Sequence, residues 1–178
     1  PLNDEQHDYA ETIRSSGDWT CRIKHLRVGE KAAIQGPFGR FSLLFMSRRR
    51  DIIMIAVSIG VTPMLSMLRY MADTGDHRRT TLIWSNQTPD HLFNRQELDA
   101  VSDQLTDFNW IPTFTREKGE KGYFGRLNRQ TLESMLQSHS RDAAVFVCGP
   151  PKMTRQVRKD LKRMGFQKRS IHFEAFGL

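Results

Sequence analysis

Apolar residues fall into two alternating patterns along the chain. Ile52 to Val57 is a continuous, β-branched apolar run bounded by charge, which reads as a strand buried on both faces, as parallel strands are. It breaks at Ser58-Ile59-Gly60-Val61. From Thr62 the apolar positions Met64, Leu65, Leu68 and Met71 recur at helical spacing until Gly75. Pro63 suits a first helical turn because it has no N–H to lose, and Thr62 is expected to cap that end. A strand–turn–helix junction aims backbone N–H groups and a positive dipole end at one spot, where phosphate is the usual occupant.

The same alternation continues. Thr80 to Ser85 reads as a strand, and Asn94 with Glu97 as a capping box before a helix carrying Leu98, Val101 and Leu105. Trp110 to Thr115 reads as a third strand, followed by a polar, glycine-rich loop, Arg116 to Arg126. Asn128 caps the next helix, with Leu127 and Leu132 at staple spacing. Ala143 to Cys148 is a strand broken at Gly149-Pro150-Pro151. A helix with Met153, Val157, Leu161 and Met164 on one face follows, then a short strand, Ser170 to Phe173. Strands alternating with helices predict an α/β fold: a Rossmann-like, doubly wound parallel sheet of five strands over residues 47–178. In such a sheet ligands sit beyond the carboxyl ends of the strands. Ser58 to Thr62, Thr115 to Tyr123 and Cys148 to Lys152 project there.

Residues 1–46 differ. Tyr9 to Arg14 and Lys31 to Gln35 read as strands, Gly17 to Thr20 and Gly36 to Gly39 as turns, and Cys21 to Leu26 as a turn or two of helix. This is a partial β-barrel with too little apolar material for a core of its own. The chain starts at Pro1 without an initiator Met, which reads as part of something longer.

Charge and composition narrow the function. The net charge is +7, and eight of the cations lie between Lys152 and Arg169 on the last helix and beyond it. That stretch carries no interleaved aromatic platform, so it reads as a solvated face or a docking surface, with no nucleic-acid partner. Two cysteines, far apart, cannot hold an iron–sulfur cluster, and no metal spacing is present. Neither G-x-S-x-G nor G-x-x-x-x-G-K occurs, so hydrolysis and phosphoryl transfer find no support. No apolar stretch is long enough to cross a bilayer.

Five stretches in register resemble the ferredoxin–NADP reductase superfamily: Gly17-Asp18-Trp19-Thr20, Gly36-Pro37-Phe38-Gly39, Ser58 to Pro63, Cys148-Gly149-Pro150-Pro151 with Met153, and Phe173 to Phe176. The wording of GDWTCRIKHL, GVTPMLSMLR and CGPPKM is similar to the ferric-reductase and NADPH-oxidase branch. Soluble reductase components of oxygenases and ferredoxin reductases share most of these motifs. The resemblance implies a flavin-binding barrel tail over residues 1–46, an NAD(P)-binding domain over 47–178, and hydride transfer from NADPH to FAD, with NAD as the other nucleotide. Electrons would then pass to an acceptor protein or a covalently linked membrane haem domain, in the cytoplasm or at the cytoplasmic face of a membrane protein.

The resemblance also implies site roles. Gly17 and Thr20 would hold the flavin pyrophosphate. Ser58, Gly60, Val61, Thr62 and Pro63 form the nucleotide loop, with Val61 and Thr62 presenting N–H and hydroxyl to phosphate. Thr115, Arg116, Lys121 and Tyr123 resemble the set that grips an adenosine 2′-phosphate, a reading the chemistry supports because that phosphate suits an Arg fork, a hydroxyl and a second cation. Trp84 to Gln87 would border the adenine. Cys148, Gly149, Pro150 and Met153 would line the nicotinamide, and Phe176 would cover the flavin ring with Glu174 beside it. Ser58 stands where the family usually has glycine, the flavin motif expected upstream is not in the chain, and Gly177 and Leu178 extend past the terminal aromatic. A nucleotide-sensing module without turnover, and a docking module using the basic last helix, are the rival functions.

Overall fold

The structure is a computed structural model and describes residues 11–36, 38–45, 51–118 and 122–176. The chain divides into two compact units, Leu2–Arg40 and Phe41–Leu178. In the first, α1 spans Gly17–Ile23 and buries no residue. It begins where a turn was expected, because Thr20 bonds back to Ser16: its hydroxyl donates to the Ser16 carbonyl and accepts from the Ser16 N–H. The strands expected at 9–14 and 31–35 are not formed among the described residues. A lone extended segment leaves its ladder groups without a neighbouring strand, and no strand is formed in this unit among the described residues. Tyr9 and Pro37 lie outside the described residues.

The second unit is a six-stranded, wholly parallel sheet: β1 Asp51–Val57, β2 Arg79–Asn86, β3 Phe108–Phe114, β4 Tyr123–Phe124, β5 Ala144–Gly149 and β6 Ile171–Ala175, in the order β4-β3-β2-β1-β5-β6. Five strands were expected. The sixth, β4, is two residues inside the Arg116–Arg126 loop, too short to leave a period-2 signal. Both faces are covered. Ile52, Met54 and Ala56 point to one side, with α2 (Thr62–Thr74) and α3 (Arg95–Gln104). Ile53 and Ile55 point to the other, with α4 (Arg129–Leu136) and α5 (Pro151–Arg163). Phe41 packs edge-on to Phe146 at 5.4 Å between centroids, and Leu43 is buried in the same core.

Helix ends separate local from tertiary control. Asn128 and Thr131 form a reciprocal capping box, each side chain accepting from the other's backbone N–H at 3.0 Å. The box expected at Asn94 and Glu97 is absent. Asn94 sits in the left-handed region, φ 54°, and its amide donates to the Glu97 carboxylate. Glu97 pairs with Arg69 of α2 instead, so an interhelical ion pair displaces the local cap. Gly75 ends α2 with φ 62°, as a left-handed cap does.

At the amino ends of the strands, buried His139 bonds Thr81 Oγ1 through Nε2 at 2.9 Å. Burial, and secondarily the Arg79 charge, lower its pKa below the ordinary 6.5. Unfolding therefore takes up a proton, so stability is full above pH 6.5 and is lost as pH falls through the lowered folded value. The melting temperature should fall on acidification from about pH 7 to about pH 5. His139→Leu should flatten that slope, and an unchanged slope in the variant would rule out this histidine as its source.

Candidate functional site

The strand order reverses at β1. From β1 the chain proceeds outward through β2, β3 and β4, then returns to place β5 on the other side. The crevice between the carboxyl ends of β1 and β5 is the switch point at which open α/β sheets hold ligands. Three of the five motif stretches meet there: the Ser58–Val61 turn after β1, the Gly149-Pro150-Pro151 turn after β5 with Met153 at the start of α5, and Glu174 to Phe176 at the end of β6.

Contact between these segments is close. A Cβ on Gly60 would lie 2.5 Å from the Cys148 carbonyl oxygen, so only glycine lets the turn reach β5. A Cβ on Gly149, φ 154°, would lie 2.6 Å from Met153 Cε and 3.0 Å from Val57 Cβ. The Gly149 carbonyl accepts the Phe176 N–H at 3.0 Å and the Thr154 hydroxyl at 3.2 Å. One peptide thus ties the carboxyl-terminal aromatic and the first turn of α5 to the crevice.

The nucleotide turn is a 3-10 helix, Ser58–Val61, running directly into α2. Thr62 therefore lies inside the helical run and does not cap it. Its hydroxyl donates to the Ile59 carbonyl at 3.0 Å, and its N–H goes to the same oxygen. Both donors are thus engaged internally, and the Val61 side chain is fully buried in the core. Ser58, by contrast, is half-buried, and its hydroxyl has no hydrogen-bond partner among the described residues. Ser58 itself adopts φ 52°, the left-handed conformation that favours the family's glycine.

Cys148 is fully buried, and its Cα pairs with Glu174 across β5 and β6. Desolvation, and then the Glu174 charge, push the thiol up to about 12. It stays protonated and uncharged, which suits a polarizable wall and excludes a thiolate nucleophile at neutral pH. Phe176 is half-buried against the core, while Glu174 is exposed.

The residues expected on the adenosine side lie along β2, β3 and β4 or just beyond them. The Thr115 N–H donates to Asn86 O at 3.1 Å and the Arg116 N–H to Gln87 O at 2.9 Å, fixing the start of the loop. The Thr115 hydroxyl makes only a long 3.5 Å contact with Asn86 O. The Arg116 guanidinium is exposed and has no partner among the described residues. Tyr123, on β4 beside Thr113, is part-exposed, and Lys121 lies outside the described residues. Trp84, Ser85 and Asn86 are buried, so of the stretch expected to border adenine only Gln87 is exposed. Gly17 and Thr20 belong to the other unit, and the Thr20 hydroxyl is engaged by Ser16.

Two helix amino termini, the Ser58 hydroxyl and the Arg116 guanidinium along one sheet edge suit a dinucleotide with its phosphates. Residues 54–159 match the family described as the oxidoreductase NAD-binding domain. The chain belongs to this family.

The glycine betaine monooxygenase reductase subunit of Chromohalobacter salexigens is 30% identical over 158 residues, covering 86% of this chain and 42% of the relative. NADH-cytochrome b5 reductase 1 of Dictyostelium discoideum is 25% identical over 174 residues, 95% of this chain and 60% of the relative. The solved CS-b5R domains of human Ncb5or, in their NAD+ form, superpose with a TM-score of 0.79 at 23% identity over 92% of this chain and 47% of theirs. The likeness to the solved structure establishes the fold. The chain spans about half the length of the curated relatives it matches.

Gly60→Ala tests the crevice. A methyl group forced against the Cys148 carbonyl must part the turn from β5, at a cost of about 1–3 kcal/mol for overpacking. A urea melt should register that loss together with weakened nucleotide binding. Unchanged stability would mean that the close approach is not a constraint.

Proposed function

We propose that the chain is the nucleotide-binding part of a flavin-dependent NAD(P)H reductase that passes electrons to an acceptor, with NADPH the preferred donor. The observation that carries the reading is the convergence of the β1 turn, the β5 turn and the carboxyl-terminal aromatic at the sheet's switch point, with Gly60 against Cys148 and Phe176 bonded to Gly149. Bound nicotinamide would supply a hydride and bound flavin the means of releasing it as single electrons.

The chain's own residues do the positioning. Ser58 donates to the pyrophosphate, and the amino ends of α2 and α5 add positive potential. Cys148 gives the nicotinamide an uncharged wall. Phe176 guards the same place until the ring enters, and Glu174 sets the charge beside it. Gly17 to Thr20 would contribute to a flavin site completed by residues outside this chain.

NADPH over NADH rests on Arg116, an exposed guanidinium with no partner among the described residues, held by its backbone at the end of β3. Lys121 and Tyr123 are the further contacts of this reading. The acceptor is a protein or a linked membrane haem domain of the ferric-reductase kind, with the domain in the cytoplasm or on the cytoplasmic face of a membrane. The oxygenase reductase subunit among the relatives favours a second reading, in which the acceptor is an oxygenase.

In the full-length protein under anaerobic conditions, NADPH should bleach the flavin and then reduce any haem present. Binding without bleaching would leave a nucleotide sensor, and no binding would remove the reading. Arg116→Ala should weaken NADPH roughly tenfold to a hundredfold, the loss of a charge-assisted hydrogen bond of about 1.5–3 kcal/mol, while leaving NADH nearly unchanged. Equal losses for both nucleotides would show that Arg116 does not read the 2′-phosphate.

A further inference from the structure

Trp84 lies fully buried in the middle of the sheet, where its side chain packs edge-on to Phe93 at 5.3 Å between centroids. Its indole N–H is nevertheless not left without a partner. It donates to the Ser58 carbonyl at 3.0 Å, reaching from β2 across to the turn that follows β1. Ser58 is one of two non-glycine residues with positive φ among the described residues, the other being Asn94. These observations belong together. A left-handed serine is disfavoured by the clash of its Cβ with the backbone and persists only when its surroundings hold it. The bond that Trp84 makes is to the carbonyl of the strained residue itself.

We infer that Trp84 is a positioning residue for the nucleotide: its indole clamps Ser58 in the left-handed conformation and so aims the Ser58 hydroxyl into the crevice. This rests on the reading of the crevice as the nucleotide site. In this chain a serine and a distant tryptophan together replace what a glycine does by lacking a side chain. The arrangement supplies a hydroxyl donor that glycine could not, and it makes that donor depend on one buried hydrogen bond. The Gly60 contact with Cys148 holds the far side of the turn, so the near side is where the indole bond decides the geometry.

Coupling between the two positions is the measurable consequence. In the full-length protein, Trp84→Phe removes the N–H and keeps most of the ring. NADPH affinity, read by calorimetric titration, should fall about fivefold to tenfold, as for the loss of one ordinary hydrogen bond. Ser58→Gly should bind weakly too, for want of the hydroxyl, but adding Trp84→Phe to it should change little, because glycine holds positive φ unaided. Ser58→Ala keeps the strain and loses the hydroxyl, so it should match Ser58→Gly in affinity while melting at a lower temperature.

An equal loss from Trp84→Phe in the wild-type and Ser58→Gly backgrounds would overturn the clamp and leave the tryptophan a packing residue. So would an unchanged affinity in Trp84→Phe while the wild-type protein binds NADPH. If the wild-type protein binds no nucleotide at all, the reading of the site fails first and the clamp with it. Should Trp84→Phe fold poorly, Ser58→Gly and Ser58→Ala still decide: a higher affinity in either than in wild type overturns the role of the hydroxyl.

Discussion

Gly60 and the Cys148 carbonyl come so close that no side chain fits between them, and the site depends on that approach. It brings the turn after β1 against the end of β5 across the switch point of the sheet. The Gly149 carbonyl extends the seam by accepting from both Phe176 and Thr154. Segments far apart in sequence are thereby held by backbone contacts, which tolerate little adjustment. A parallel sheet with helices on both faces makes this possible, because its interior strands end together at one edge.

Charge and protonation at the seam follow from burial. Cys148 is kept a neutral thiol by desolvation and by Glu174 opposite it. The amino ends of α2 and α5 follow β1 and β5, while Arg116 lies beyond the end of β3, on the far side of β2. Helix amino ends at the carboxyl edge of the sheet fit a ligand that is anionic along its middle. At the opposite edge of the sheet, His139 and Thr81 tie the turn after α4 to β2. The two ends of one sheet thus differ, with the motif turns converging at the carboxyl ends and a buried anchor at the amino ends.

Much of this was legible in the sequence. Ile52 to Val57 reads as a buried strand because both of its faces are covered, and α2 has the expected limits, Thr62 to Thr74, because Pro63 and Gly75 bracket a regular apolar stripe. The Asn128 cap is also local, since its partner Thr131 stands one helical turn along. The sequence motifs named the segments that converge at the crevice.

What failed was whatever a distant residue decides. Glu97 leaves the local cap for Arg69 on another helix. Thr62 turns both donors on Ile59 because a 3-10 turn runs straight into the helix. β4 exists only because β3 lies beside it to accept pairing. Trp84 is buried because its side chain packs into the core beneath α2 and α3 against Phe93, and its indole reaches Ser58 rather than solvent. Amino-acid order by itself determined the periodicities, the breaks between elements and the chemistry available at each turn, since these are properties of neighbouring residues. The tertiary structure alone decided which donors are engaged within the turn, which cysteine is neutral and which tryptophan holds the strained serine, because each depends on groups that only packing brings into reach.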